Sequence, residues 1–228
     1  RDGRIAVRDP RGGLTTLPVE PDVGNAELAG AILVNANLSQ AKMGGSHAMH
    51  TDFSDAVMRG CKLVRADMRH ANLNGANLEG ADLSGADLRN ASLRNANLTG
   101  VVMTLTETAG ADLSGALTSK ASGRPMSELG GSLQDLIAAH QRYVDSNGAE
   151  GKPLDLSGFD LRQAPPLAGV YLTGLKANGS IFYGLNLEGV WLQGAQLEGA
   201  DLRNCRLAGA DLRGANLAGA RLNHAELR

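Results

Sequence analysis

An aliphatic residue recurs every fifth position along most of the chain, separated by polar residues, and that period governs everything else. In residues 71–100, ANLNGANLEGADLSGADLRNASLRNANLTG, one five-residue phrase is written six times. From Leu28 to Leu113 there are eighteen such centres: eleven Leu, four Met (Met43, Met58, Met68, Met103) and Phe53, with only Ala48 and Thr108 out of character. Two residues before each centre stands a small residue, Ala at fourteen of nineteen sites between Ala26 and Ala116. Ser46, Thr51, Cys61, Val101 and Thr106 fill the rest. A second array runs from Leu167 to Leu227; eleven of its thirteen centres are Leu, and Ala177 and Phe182 are the others. Two further phrases, centred on Leu156 and Leu161, precede it one residue out of frame. The extra residue falls within Ala164-Pro165-Pro166, where a bulge or bend is expected.

Neither regular element gathers a period of five on one side. On an α-helix five residues turn through about 140°, scattering the leucines around the axis. On a flat strand five is odd, so they would alternate between faces. A chain that turns a corner every five residues points each Leu and each small residue at a central axis. Glycine supports the corners: it stands two after the centre at ten of twelve sites from 169 to 224, with Asn204 another. Glycine and asparagine are the residues that accept positive φ in turns.

The phrase resembles the A(D/N)LXX signature of the pentapeptide-repeat family, over roughly three quarters of the chain. That resemblance implies an all-β solenoid, a right-handed quadrilateral β-helix with four phrases per twenty-residue coil. Coils would stack at the inter-strand spacing of about 4.8 Å. Each coil would touch only its neighbours, leaving long side faces and two vulnerable ends.

Four segments follow. Residues 1–24, with a short β-like Ile5-Ala6-Val7 and three prolines, read as a tail or the end of a preceding domain that caps the first coil. Residues 25–118 form the first array, and 154–228 the second. Between them, residues 119–153 contain an inserted α-helix at about 132–147: Ser132 suits the N-cap, Asp135 the first turn and Gly148 the end. Leu133, Leu136, Ile137, His140, Tyr143 and Val144 make one apolar stripe. It is expected to lie against the start of the second array, where Phe159, Val170, Leu175, Leu185 and Val190 replace the usual Ala.

Composition excludes several classes. Only 3% of residues are aromatic, and 22 basic against 24 acidic residues leave a net charge of −2. That balance argues against a nucleic-acid binder. Cys61 and Cys205 are too few for a disulfide framework or a zinc site, and no apolar run is long enough to span a membrane. No phosphate loop, nucleophile elbow or H-E-x-x-H motif is present, so no catalytic, cofactor or metal site is assigned.

The remaining candidates lie on the faces. Tyr171 and Trp191 are one coil apart in the outward position before the centre, and should form an aromatic ladder. The nearby helix is the first cover expected for them, a protein partner the second. Arg69 and Arg89 stack likewise, with Arg94 on the adjoining face; Asp67 and Asp87 favour a self-neutralised surface, with a partner-binding ridge as the alternative. His50 and His70 share an outward corner with His47 near, yet no carboxylate is seen to complete a metal site. The expectation is a non-enzymatic scaffold of the bacterial cytoplasm that binds another protein. A homodimer through the open Leu-rich C-terminal coil is a further expectation. The alternative is a DNA-mimicking protector of gyrase, a role the family resemblance suggests and the mixed charge opposes.

Overall fold

The structure is a computed structural model that describes residues 4–8, 14–18 and 24–228. The chain divides into two units, residues 1–120 and 121–228, each with its own hydrophobic core.

In the first unit, every fifth residue makes a parallel bridge to the residue twenty positions later, from Glu27 with His47 through Asn97 with Leu117. Twenty residues therefore complete one four-sided coil. The ladder is regular: Leu28 N–H donates to His47 O (2.8 Å), and His47 N–H to Ala26 O (2.9 Å). Each side is too short to count as an extended strand, because the chain turns after every bridge. At the turn, Ala31 N–H donates back to Leu28 O (2.8 Å), and Gly30 between them has φ 68°. Positive φ confined to the third residue of such a hydrogen-bonded turn is the mark of type II geometry. The same position is left-handed at all nineteen corners from Asn25 to Gly115, even where it holds His50, Arg65, His70 or Leu105.

The Asp or Asn before each centre also has a local job. Its Oδ1 accepts the N–H two residues on, as Asp52 does from Ser54 (3.0 Å) and Asn77 from Glu79 (3.2 Å). This closes an Asx turn and fixes the corner. Inside, Leu, Met and Phe centres alternate with the small residues, and Phe53, Met58, Leu63, Leu73, Leu78, Leu83 and Leu88 are all 0% exposed. The two threonines fit the small column by donating to the coil before: Thr51 Oγ1 to Leu28 O (2.6 Å) and Thr106 Oγ1 to Leu83 O (2.8 Å). The core thins at the end of this array, where Val101, Met103, Ala111 and Ala116 are only partly buried and Leu113 is exposed.

Before the array, β1 (Arg4–Arg8) pairs antiparallel with β2 (Leu14–Pro18), Ile5 opposite Leu17. Within residues 1–24, expected as a tail or the end of a preceding domain, the described residues form this antiparallel pair. The capping of the first coil expected of it falls on side chains outside the described residues.

In the second unit, β3 (Arg124–Pro125) pairs in parallel with β4 (Phe159–Asp160). Helix α1 (Leu133–Asp145) lies between them in sequence, a little shorter than the 132–147 expected. Ser132 caps it, accepting Asp135 N–H (3.1 Å), and Gly148 (φ 87°) closes the far end by donating to Tyr143 O (2.7 Å). Leu133 is buried with Leu154, Leu156, Phe159 and Leu175, and Leu136 and Ile137 pack against the same cluster. The helix therefore covers the beginning of the second array. There the bridges span twenty-one residues, Asp155 with Lys176 and Asp160 with Ile181, whereas Tyr171 and all later ones span twenty. The additional residue is absorbed at Ala164-Pro165-Pro166, where a proline costs no ladder hydrogen bond.

Candidate functional site

Tyr171 and Trp191 occupy consecutive coils of one side and are bridge partners. Their rings lie 4.8 Å apart, tilted by 36°. They are 46% and 41% exposed, so the helix does not cover them, contrary to the first expectation from sequence. The apolar stripe of α1 is instead used against Leu154, Leu156 and Phe159 at the start of the array. A hydrogen-bonded chain runs beside the ladder: Thr173 Oγ1 donates to Gln193 Oε1 (2.7 Å), and Gln193 Nε2 to Asp211 Oδ2 (2.6 Å). Arg213 Nη2 closes it on Asp211 at 2.6 Å. The Arg213 guanidinium holds the Asp211 carboxyl at about 2, below its usual range. The corners on both sides of this face are glycines, Gly169 and Gly189 on one and Gly174 and Gly194 on the other. With no side chains there, the aromatic pair stands on an unobstructed flank.

The arginines are placed differently. Arg69 binds Asp67 (Nη2 to Oδ2, 2.7 Å), approaches Asp87 (3.7 Å) and touches Met49 Sδ (3.3 Å). Arg89 binds Asp87 (2.6 Å), and the more exposed Arg94 approaches Asp112 at 3.7 Å. Both Asp67 and Asp87 are held below the usual carboxylate range, chiefly by the arginine hydrogen bonds. These guanidiniums are already engaged, which leaves Arg94 the freest of the three.

Histidine stacking follows the coil. His50 and His70 lie 4.8 Å apart and nearly parallel, at 7°. His47 has a carboxylate the sequence reading missed: Glu27, one coil earlier in its column, sits 2.6 Å from Nδ1 and raises its pKa. The twenty-residue spacing carried that signal. Among the described residues, no three His, Cys, Asp or Glu side chains gather as a metal site. Cys61 and Cys205 are 0% exposed, and burial pushes both thiols up to about 12. Cys205 Sγ contacts Phe182 O at 3.0 Å, so it fills the small column as a weak donor. No helix among the described residues is long and apolar enough to cross a membrane.

A second ionic feature lies opposite in character. Asp201 and Arg203 are 1% and 2% exposed and joined at 2.6 Å, with Arg221 Nη2 also 3.2 Å from Asp201. Nothing in the repeat phrase announces it, because Asp-Leu-Arg also stands at exposed positions such as Asp87-Leu88-Arg89.

The profile of the pentapeptide repeats matches the chain in eight copies, over residues 24–60, 51–90, 81–117, 167–204 and 191–228. A search of curated protein sequences returned no match. Among solved structures, a pentapeptide repeat protein from the Arabidopsis thaliana thylakoid lumen is 32% identical, covering 40% of this chain and 63% of its own, with a TM-score of 0.39. The chain therefore spans less than two thirds of that protein's length. HetL, involved in heterocyst differentiation regulation in Nostoc, is 27% identical over 88% of this chain and 84% of its own (TM-score 0.23). QnrB1, a plasmid-mediated fluoroquinolone resistance protein, is 16% identical over 87% of this chain and 83% of its own (TM-score 0.24).

Proposed function

The chain belongs to the pentapeptide-repeat family, and from that premise we propose that it is a non-enzymatic scaffold, wound right-handed, that binds a protein partner through the Tyr171–Trp191 flank. One observation carries the reading: two large aromatic rings stand exposed and ordered on a face whose corners have no side chains. Exposed Tyr and Trp are the residue types that anchor protein interfaces. The polar chain from Thr173 to Arg213 supplies a rim that can exchange hydrogen bonds with a partner. Metal and covalent chemistry find little support in dispersed carboxylates and two inert thiols.

The test is cross-linked pull-down from native lysate with wild type, Tyr171→Ala/Trp191→Ala and Arg69→Ala/Arg89→Ala proteins. The aromatic double variant should lose the captured protein that the arginine double variant keeps. Equal recovery by wild type and both variants would discard the site assignment.

DNA imitation is the second reading, and the first array argues against it. A DNA mimic needs unpaired acids along a face, whereas Asp67 and Asp87 are neutralised by Arg69 and Arg89. No change in gyrase supercoiling at micromolar protein is the outcome expected.

A further inference from the structure

His140 stands in the middle of the apolar face of α1 and is 2% exposed, yet both ring nitrogens have backbone partners. Leu154 N–H lies 3.1 Å from Nδ1 and donates to it. Nδ1 must therefore carry a lone pair, which puts the proton on Nε2; that N–H then donates to Thr173 O at 3.0 Å. One neutral tautomer thus ties the helix to two places at once: the segment entering the second array and its first aromatic-bearing coil. Lys152 N–H donates to Ala139 O (3.1 Å) and adds a second tie next to it. The rest of the docking surface is apolar: Leu133, Leu136 and Ile137 against Leu154, Leu156 and Phe159.

We propose that α1 is a cap released by acid, with His140 as its latch, so that protonation bares the apolar first coil of the second array. A proton added at Nδ1 faces the Leu154 N–H, donor against donor, and places a charge at a site without a counter-ion. The charged and titratable groups on the packed segments are Asp135, Arg142, Tyr143 and Asp145 on α1, Glu150 and Lys152 after it, Arg124 over the Phe159 ring, and Asp155, Asp160, Tyr171 and Lys176 on the array. Asp155 and Lys176 are bridge partners of each other. The imidazole is held below its usual 6.5 by burial first, and the Thr173 carbonyl only partly offsets this; no charged group contributes.

The docked helix prefers neutral His140, so docking is fully favourable above the undocked value near 6.5. As pH falls below that, the undocked state binds the extra proton and docking weakens, by up to about tenfold per pH unit. The loss levels off once the docked imidazole itself is protonated. Asp155 is held below the usual carboxylate range by its hydrogen bonds from Ser157.

Hydrogen–deuterium exchange on the full chain, corrected for intrinsic exchange, reads the latch between about pH 5 and 7.5. Amides of 137–145 should lose protection progressively below about 6.5, by up to about tenfold per unit, while Leu192 and Leu197 keep theirs. His140→Gln retains one donor and one acceptor without titrating, and its helix protection should be flat with pH. Protection of α1 independent of pH in wild type, or the same slope in His140→Gln, overturns the proposal. Should His140→Gln fail to dock, nitrogen NMR of the wild-type imidazole decides. An Nε2–H tautomer titrating below 6.5 supports the latch, and an Nδ1–H tautomer or titration at or above 6.5 removes it.

Discussion

Leu105 is 86% exposed and left-handed, with φ 56°, at a corner where most positions hold Gly or Asn. A left-handed conformation costs a β-carbon-bearing residue roughly 1–2 kcal/mol. Little is lost by removing the side chain: with so small a fraction buried, its hydrophobic contribution is about 0.3 kcal/mol. Leu105→Asn should therefore stabilise the first array by about 1 kcal/mol, because asparagine accepts the conformation. Leu105→Gly should gain only about 0.5 kcal/mol, since glycine is freer in the unfolded chain. Gly80 supplies the converse. Its φ is 65° and nothing lies within 4 Å of a β-carbon built there, so Gly80→Ala isolates the backbone term. It should cost about 0.5–1 kcal/mol. Urea unfolding measures all three, as shifts of midpoint at constant slope. A destabilised Leu105→Asn, or a neutral Gly80→Ala, would refute the claim that every corner of the first array is built on one left-handed residue.

Core position should matter as strongly. Leu78→Ala, at a 0% exposed centre in mid-array, should cost about 3–4 kcal/mol, against about 1 for Leu113→Ala at 41% exposure, both read by urea denaturation. Arg203→Ala strands the buried Asp201 and should cost about 3 kcal/mol, the lower end of the usual range because Arg221 remains in contact. Native Cys61 and Cys205, with thiols near 12, should resist a thiol reagent at pH 8 and react at once in denaturant. Asp211 should titrate near 2 by carbon NMR; its stabilising interaction is complete above its ordinary 3.8 and lost as pH falls through about 2.

The period of five carried the turning coil and the two cores, because each Leu or Ala in the phrase has only one inward place to go; the four sides came from the family resemblance, and the twenty-residue bridges agree with it. The single residue out of frame was equally visible at Ala164-Pro165-Pro166, and the bridges there span twenty-one residues. Ser132, Asp135 and Gly148 marked the helix for local reasons that need no tertiary knowledge. The seat of that helix was harder. Its stripe says that something apolar is covered, but the choice between the array's end and the Tyr171–Trp191 flank depends on three-dimensional area. The β1–β2 pair was only half legible: Ile5-Ala6-Val7 reads as β-like and residues 9–13, ending in Gly12-Gly13, have the length of a hairpin loop, but Leu14–Pro18 lacks alternation and ends on proline. Glu27 beside His47 was legible in principle, since column neighbours are twenty apart, and required only that every column be followed to the first coil. Arg203 was not: an Asp-Leu-Arg phrase looks alike whether buried or exposed.

The constant reach of the backbone ladder has a kinetic corollary. Bridged partners are twenty or twenty-one residues apart wherever they occur in the arrays, so no ring much larger than that need close during assembly. Set against a length of 228, the relative contact order of the arrays is at most about 0.09, a value typical of helical bundles rather than β-sandwiches. A structure held by sheet-type hydrogen bonds should thus nucleate locally and zip outward, coil upon coil, at speeds that belong to α-helical proteins.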